Sequence, residues 1–156
     1  MNKSGEPKLL DFGIAKVLSE PGDSPERTVT MTGGLMLTPN YASPEQNQGL
    51  PCTVASDIYS LGVILYELLA LRGPYSSTAS TPAETIAAVV TTEAPRPSAV
   101  APELLKAPLR GDLDGITLKA LAKKPGERYG SVEQLSEDVR RHLEGLPVSA
   151  VEGSRI

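Results

Sequence analysis

Asp11 is the first aspartate of the chain and stands in the tripeptide Asp11-Phe12-Gly13, behind Pro7-Lys8-Leu9-Leu10. An ionised carboxylate offers only acceptor oxygens. Taken alone, the tripeptide is also what a solvated aspartate before a tight turn looks like, so its neighbours decide. Hydroxyls follow it: Thr28, Thr30 and Thr32 lie in a polar stretch from about Ser19 to Leu37 that carries Pro21, Gly22, Pro25, Gly33 and Gly34, and Thr38 comes next. Such a stretch reads as a mobile loop. Phosphate on one of its threonines would add close to two negative charges and three acceptor oxygens. The remaining reactive groups are single. Cys52 has no His or Lys beside it and reads as a small loop side chain, and His142 is the only histidine.

The elements that would position these groups are punctuated clearly. Lys8-Leu9-Leu10 and Ile14-Ala15 are short strand candidates on either side of the Gly13 turn. Residues 55–70 predict a helix that is apolar on more than one face, hence buried on more than one side. Its apolar run from Ile58 to Ala70, with Ser60 and Glu67 inside, falls short of the about 20 residues that span a bilayer. Thr81-Pro82-Ala83-Glu84 opens another helix, because Thr81 and Glu84 can form a capping box and Pro82 suits the first helical position. That helix ends before Pro95, and the prolines from Pro95 to Pro102 predict an ordered turn region. Asp112 is placed to cap a helix carrying Leu113, Ile116, Ala120 and Leu121. Ser131-Val132-Glu133-Gln134 is a second capping box, ahead of a stripe of Val132, Leu135, Val139 and Leu143.

Composition narrows the classes. The 156 residues suffice for one core. A net charge of −4, from 15 basic and 19 acidic residues mixed along the chain, gives no reason to expect nucleic acid or anionic lipid as a partner. One cysteine excludes an intramolecular disulfide and fits a reducing compartment. The start, Met1 to Gly5, lacks the apolar stretch of a signal peptide, so the expected location is cytoplasmic.

Three further motifs follow Asp11-Phe12-Gly13 in order: Thr38-Pro39-Asn40-Tyr41-Ala42-Ser43-Pro44-Glu45, Ser56-Asp57-Ile58-Tyr59-Ser60-Leu61-Gly62-Val63, and Lys123-Lys124-Pro125-Gly126-Glu127-Arg128-Tyr129. Together these resemble the C-terminal half of a protein serine/threonine kinase domain of the bacterial type. The resemblance implies a mainly α fold, a C-lobe fragment from Asp-Phe-Gly onward with a short β-hairpin remnant at the N-terminus and the ATP-binding N-lobe absent. It implies a partial kinase domain over 1–146, with the activation segment at about 11–45 and a helical subdomain at about 54–146. Residues 147–156 are then a C-terminal tail or the start of a linker.

The same resemblance assigns roles. Asp11 would coordinate magnesium, and Asp11, Phe12 and Gly13 would face ATP. Thr38, seven residues before Glu45, falls where the family carries a substrate-site threonine. Thr30 and Thr32, with Thr28, match its regulatory phosphorylation positions. Glu45 would pair with Arg128, and Asp57 would accept backbone hydrogen bonds from the catalytic loop. Ser43 replaces the commoner alanine before Pro-Glu, and Tyr59 stands where many eukaryotic relatives have tryptophan.

Other parts of the family pattern are not among these residues. Its His-Arg-Asp loop precedes Asp-Phe-Gly, whereas no aspartate precedes Asp11 and the one histidine is His142. The 14 glycines never form Gly-x-Gly-x-x-Gly. Lys16 follows the tripeptide and so reads as a surface residue, not the phosphate-holding lysine. Phosphoryl transfer needs these parts together. The expectation is therefore a portion of a serine/threonine kinase, inactive as an isolated chain and binding neither ATP nor magnesium tightly. The alternative is a non-catalytic kinase-like remnant that acts as a protein-binding module. Expected partners are a protein substrate or another kinase molecule, with self-association through apolar surface that the long helix leaves uncovered.

Overall fold

The computed structural model describes residues 40–152, with the side chain of Glu152 excepted. These belong to the second of two units, which divide between Leu37 and Thr38. The hairpin expected around Gly13 lies outside the described residues. Within them the fold is helical, with no strand: α1 (Pro44–Asn47), α2 (Val54–Ala70), α3 (Pro82–Thr91), α4 (Pro97–Val100), α5 (Glu103–Leu109), α6 (Asp112–Ala120), α7 (Val132–Leu143) and α8 (Ser149–Glu152), with a 3₁₀ turn at Pro125–Glu127.

Helix α2 is the axis. Thr53 starts it: its hydroxyl accepts from the Ala55 amide at 3.2 Å, and Ser56 Oγ accepts from the Thr53 amide at 3.1 Å, so two end donors are satisfied. Leu71 stops it in the left-handed region at φ 58°, donating its amide to Glu67 O at 2.9 Å. One face of α2 sends Tyr59, Val63, Tyr66 and Ala70 into a cluster with Tyr75, Val89, Ala101 and Leu121. Another sends Ile58 into a second cluster with Ile116, Ala120, Tyr129, Leu135 and Val148. Each fully buried large side chain stabilises the fold by about 1.5–3 kcal/mol. A third face stays open, with Ile64 and Leu71 exposed and Leu68 70% exposed. Where α2 crosses α6, Gly62 is required by contact: a Cβ there would lie 2.8 Å from Ala120 Cβ.

Helix α3 begins with the expected box, Glu84 N donating to Thr81 Oγ1 at 3.2 Å and Thr81 N to Glu84 Oε2 at 3.1 Å. The proline region after it is more ordered than a turn. Pro97 opens α4, and Asp114 of α6 holds that helix by accepting from Ser98 N at 2.9 Å and Ser98 Oγ at 2.6 Å. Asp112 does not cap α6. It is the first helical residue, behind Gly111, and faces His142 at 3.4 Å.

Two readings of α7 change. Ser131 Oγ accepts from Gln134 N, but the Gln134 side chain turns to Gly130 N at 3.0 Å, so the box is half formed. Leu143 is 79% exposed and Val132 is exposed, while Leu135 and Asp138 are buried. The inward face is rotated because a carboxylate sits in the middle of it. Its partners explain this: the segment read as a tail after 146 is packed, with Val148 buried in the second cluster and α8 set against Asp138. None of the helices among the described residues is long and apolar enough to cross a membrane.

Candidate functional site

The most strongly tied point of the described fold joins α1, the start of α2 and the loop after α6. Ser43 caps α1 with a reciprocal pair, Gln46 N to Ser43 Oγ at 3.4 Å and Ser43 N to Gln46 Oε1 at 2.7 Å, and Pro44 takes the first helical position. This turns Glu45 inward, where it is 5% exposed. Arg128 meets it as a fork, Nη1 to Oε1 at 2.7 Å and Nη2 to Oε2 at 2.8 Å. The remaining guanidinium donors go to main-chain carbonyls: Nε to Ala122 at 2.7 Å, Nη1 to Ala55 at 2.6 Å and Nη2 to Lys123 at 3.0 Å. All five N–H groups are thereby used. Ser56 Oγ adds a donor to Glu45 Oε1 at 2.8 Å, and the guanidinium lies 5.1 Å from the Tyr59 ring centroid. Burial pushes the Glu45 carboxyl up. Its bonds from Arg128, the backbone and Ser56, with the Arg128 charge, outweigh this and hold it down at about 2.

A second arrangement fixes the strand of chain leading into α1. Tyr41 donates its hydroxyl to Glu67 Oε2 at 2.8 Å, and its carbonyl accepts from Ser60 Oγ at 2.8 Å. The bond to Glu67, then burial, raise the Tyr41 pKa. Beside this pair lies a groove of about 420 Å³ lined by Asn40, Glu67, Tyr75, Ser80, Thr81 and Thr85. Its lining is hydroxyl-rich with one carboxylate, a surface suited to a polar or cationic side chain.

Lys123 secures the far side. Its ammonium donates to Tyr75 Oη at 2.6 Å and to Val89 O at 2.6 Å, and Tyr75 Oη lies 3.3 Å from Tyr59 Oη. Helix α3 has no basic residue in its last turn, so Lys123 supplies the cation that its C-terminal carbonyls favour. Burial pushes the Lys123 pKa down to about 8.

Of the residues singled out in the sequence, Glu45 and Arg128 are brought together. Asp57 is exposed on the first turn of α2, and no hydrogen bond reaches its carboxylate from the described residues. Asp11, Phe12, Gly13, Thr28, Thr30, Thr32 and Thr38 lie outside the described residues. No group of three His, Cys, Asp or Glu able to hold a metal occurs among the described ones. Sequence reading missed Tyr41, Glu67 and Lys123, whose partners are 26 to 48 residues away. The Tyr41 position inside the Thr-Pro-x-Tyr stretch was the available signal.

The family model for the protein kinase domain matches residues 1–139. The chain belongs to the protein kinase domain family. Among similar kinases, a probable serine/threonine-protein kinase of Streptomyces coelicolor is 36% identical over 150 residues, 96% of this chain and 21% of that protein. Serine/threonine-protein kinase PknB of Mycobacterium tuberculosis is 38% identical over 143 residues, 92% of this chain and 21% of its own length. PknD of Chlamydia abortus is 34% identical over 142 residues, 91% of this chain and 14% of the relative. The chain thus spans about a fifth or less of the kinases it matches. The fold agrees: the twitchin kinase region from C. elegans superposes with a TM-score of 0.55 at 24% identity, over 65% of this chain and 16% of that one.

Proposed function

We propose that these residues are the portion of a serine/threonine protein kinase from Asp-Phe-Gly onward, and that they supply the support and substrate side of phosphoryl transfer to protein hydroxyls. The carrying observation is the buried Glu45–Arg128 fork, which fixes the end of the Thr38–Glu45 stretch against α2 with every guanidinium donor used. In this reading Thr38 shapes the substrate site, and Thr30, Thr32 and Thr28 are phosphorylation sites for another kinase molecule. In the whole kinase, Asp57 would accept backbone hydrogen bonds from the catalytic loop, which is not among these residues.

The donor set of these residues fits magnesium in one respect: Asp11 is a single carboxylate, and magnesium takes its remaining oxygens from water and nucleotide phosphates. When bound, MgATP supplies the transferable phosphoryl group and neutralises its charge. Asp11 would hold the ion, with Phe12 and Gly13 beside the nucleotide. The general base, the phosphate lysine and the glycine-rich loop are not among the 156 residues. Because such parts act as a unit, the isolated chain is inactive and binds nucleotide weakly. Its working location is the cytoplasm.

Titration calorimetry of the chain with MgATP tests this. No heat of binding is expected at micromolar nucleotide, and a micromolar Kd would overturn the inactive reading.

A second reading, a protein-binding remnant, is favoured by the open face of α2, where Ile64, Leu68 and Leu71 are exposed together. On that reading the chain self-associates, and Leu68→Glu shifts its sedimentation to monomer; a wild-type monomer would remove it.

A further inference from the structure

Asp138 is 2% exposed, and no basic side chain among the described residues pairs with it. Its charge is balanced by hydrogen-bond donors alone. From the core side Tyr129 donates its hydroxyl to Oδ2 at 2.9 Å. The other three donors all come from the start of α8: Ser149 N to Oδ1 at 2.8 Å, Ser149 Oγ to Oδ2 at 2.8 Å, and Ala150 N to Oδ2 at 3.0 Å.

An apolar half completes the contact. Val148 is 2% exposed beside Ile116 and Tyr129. Val151 approaches α6 so closely that a Cβ on Gly115 would lie 2.9 Å from its Cγ2. The chain from Val148 to Val151 is therefore docked on a shaped surface and held by one carboxylate. Ser149 itself is exposed, on the rim of an open groove shared with Glu133, Glu137 and Arg141.

We propose that Ser149 is a phosphorylation site and that phosphate on it unlatches α8. In the step, Ser149 Oγ bonds to the γ-phosphorus of a nucleoside triphosphate bound to a serine/threonine kinase. The bond from that phosphorus to the β–γ bridging oxygen breaks, the nucleoside diphosphate leaves, and the hydroxyl proton passes to the acting kinase's base. Oγ then has no hydrogen to donate, and a group carrying close to two negative charges faces the buried Asp138 carboxylate. Like charges at this range in a desolvated site repel strongly.

Two cations stand nearby, and both are already engaged: Lys119, with Nζ 3.4 Å from Ser149 Oγ, lies over the Tyr129 ring at 4.5 Å, and Arg141, on the same groove, donates Nε to Pro147 O. Phosphate and the Asp138 carboxylate together carry close to three negative charges, and Glu133 and Glu137 line the same groove, so the two cations do not balance the site. Undocking lets both anions reach water, at the expense of exposing Val148 and Val151. The inference does not depend on catalysis by these residues, since the phosphoryl group comes from a nucleoside triphosphate bound to a separate kinase.

Phosphoserine placed at 149 of the 156-residue chain by codon reassignment tests the latch through amide hydrogen exchange. A fall of about tenfold or more in protection is expected at Ser149, Ala150 and Val151, with the interior of α2 unchanged. Ser149→Ala keeps both main-chain donors and is expected to stay docked, which separates the charge from loss of the hydroxyl. Wild-type protection in the phosphoserine chain overturns the latch. Incubation with MgATP and the PknB kinase domain, followed by peptide mass spectrometry, tests the site: phosphate on Ser149 supports it, and its absence there overturns it.

Discussion

Arg128 and Glu45, 83 residues apart in sequence, form a two-pronged ion pair in which neither side chain has useful access to water. Removing one partner leaves a buried charge or a set of unpaired donors. Arg128→Lys keeps the charge but loses the fork and several of its carbonyl bonds. Either Arg128→Lys or Glu45→Gln is expected to lower stability by about 3–5 kcal/mol, read as the shift in urea midpoint. A loss below about 1 kcal/mol would show that the pair is no anchor.

Acid should act through the same carboxylate. The folded-state pKa of Glu45 is held at about 2 against an ordinary 4.5. Its stabilisation is therefore present above the ordinary value and drains away as pH falls toward 2. Asp138 behaves alike: burial pushes its pKa up, but the Ser149, Tyr129 and Ala150 donors hold it below the usual value. Urea midpoints measured from pH 6 down to 2.5 should fall steadily, and less steeply in Glu45→Gln.

Lys123 gives the same direction of pH dependence for the opposite reason, since here it is the charged form that folding disfavours. Burial holds its pKa at about 8 when folded, against an ordinary 10.5, so between those values the unfolded chain binds more protons. Stability should rise with pH across that window, by about 1 kcal/mol once solvent screening at a half-exposed amine is allowed for. Lys123→Met should abolish that rise, which denaturation at pH 7.5, 9 and 10 would reveal.

Gly62→Ala pits helix propensity against packing. Alanine favours the helix by about 1 kcal/mol, yet its methyl would meet Ala120 Cβ at 2.8 Å and the Ala120 carbonyl carbon at 3.3 Å. Neither atom can rotate away. Overpacking of this kind typically costs about 1–3 kcal/mol, and a net loss of about 1 kcal/mol in thermal or urea unfolding is expected.

What could be read from the sequence was local or carried by a motif. Thr81, Pro82 and Glu84 announce the start of α3 because a capping box is complete within four residues. Glu45 and Arg128 could be paired in advance because each sits in a recognisable stretch. Periodicity misjudged α7, where Val132 and Leu143 look like a core stripe but Asp138 takes the inward position. Its donors at 149 and 150 come from beyond the helix, and no pattern within the helix announces them. Lys123 was opaque for the same reason: its acceptors, Tyr75 and Val89, are 48 and 34 residues away. Asp112 had the right residue type for a cap but stands one position too late, after Gly111.

The two apolar clusters pack on adjacent flanks of one helix, Tyr59 and Val63 on one and the neighbouring Ile58 on the other. Neither flank can melt and leave the other an intact wall to pack on. Damage to either cluster is thus borne by both, and the described unit should unfold as a single cooperative block, with calorimetric and van't Hoff enthalpies in agreement.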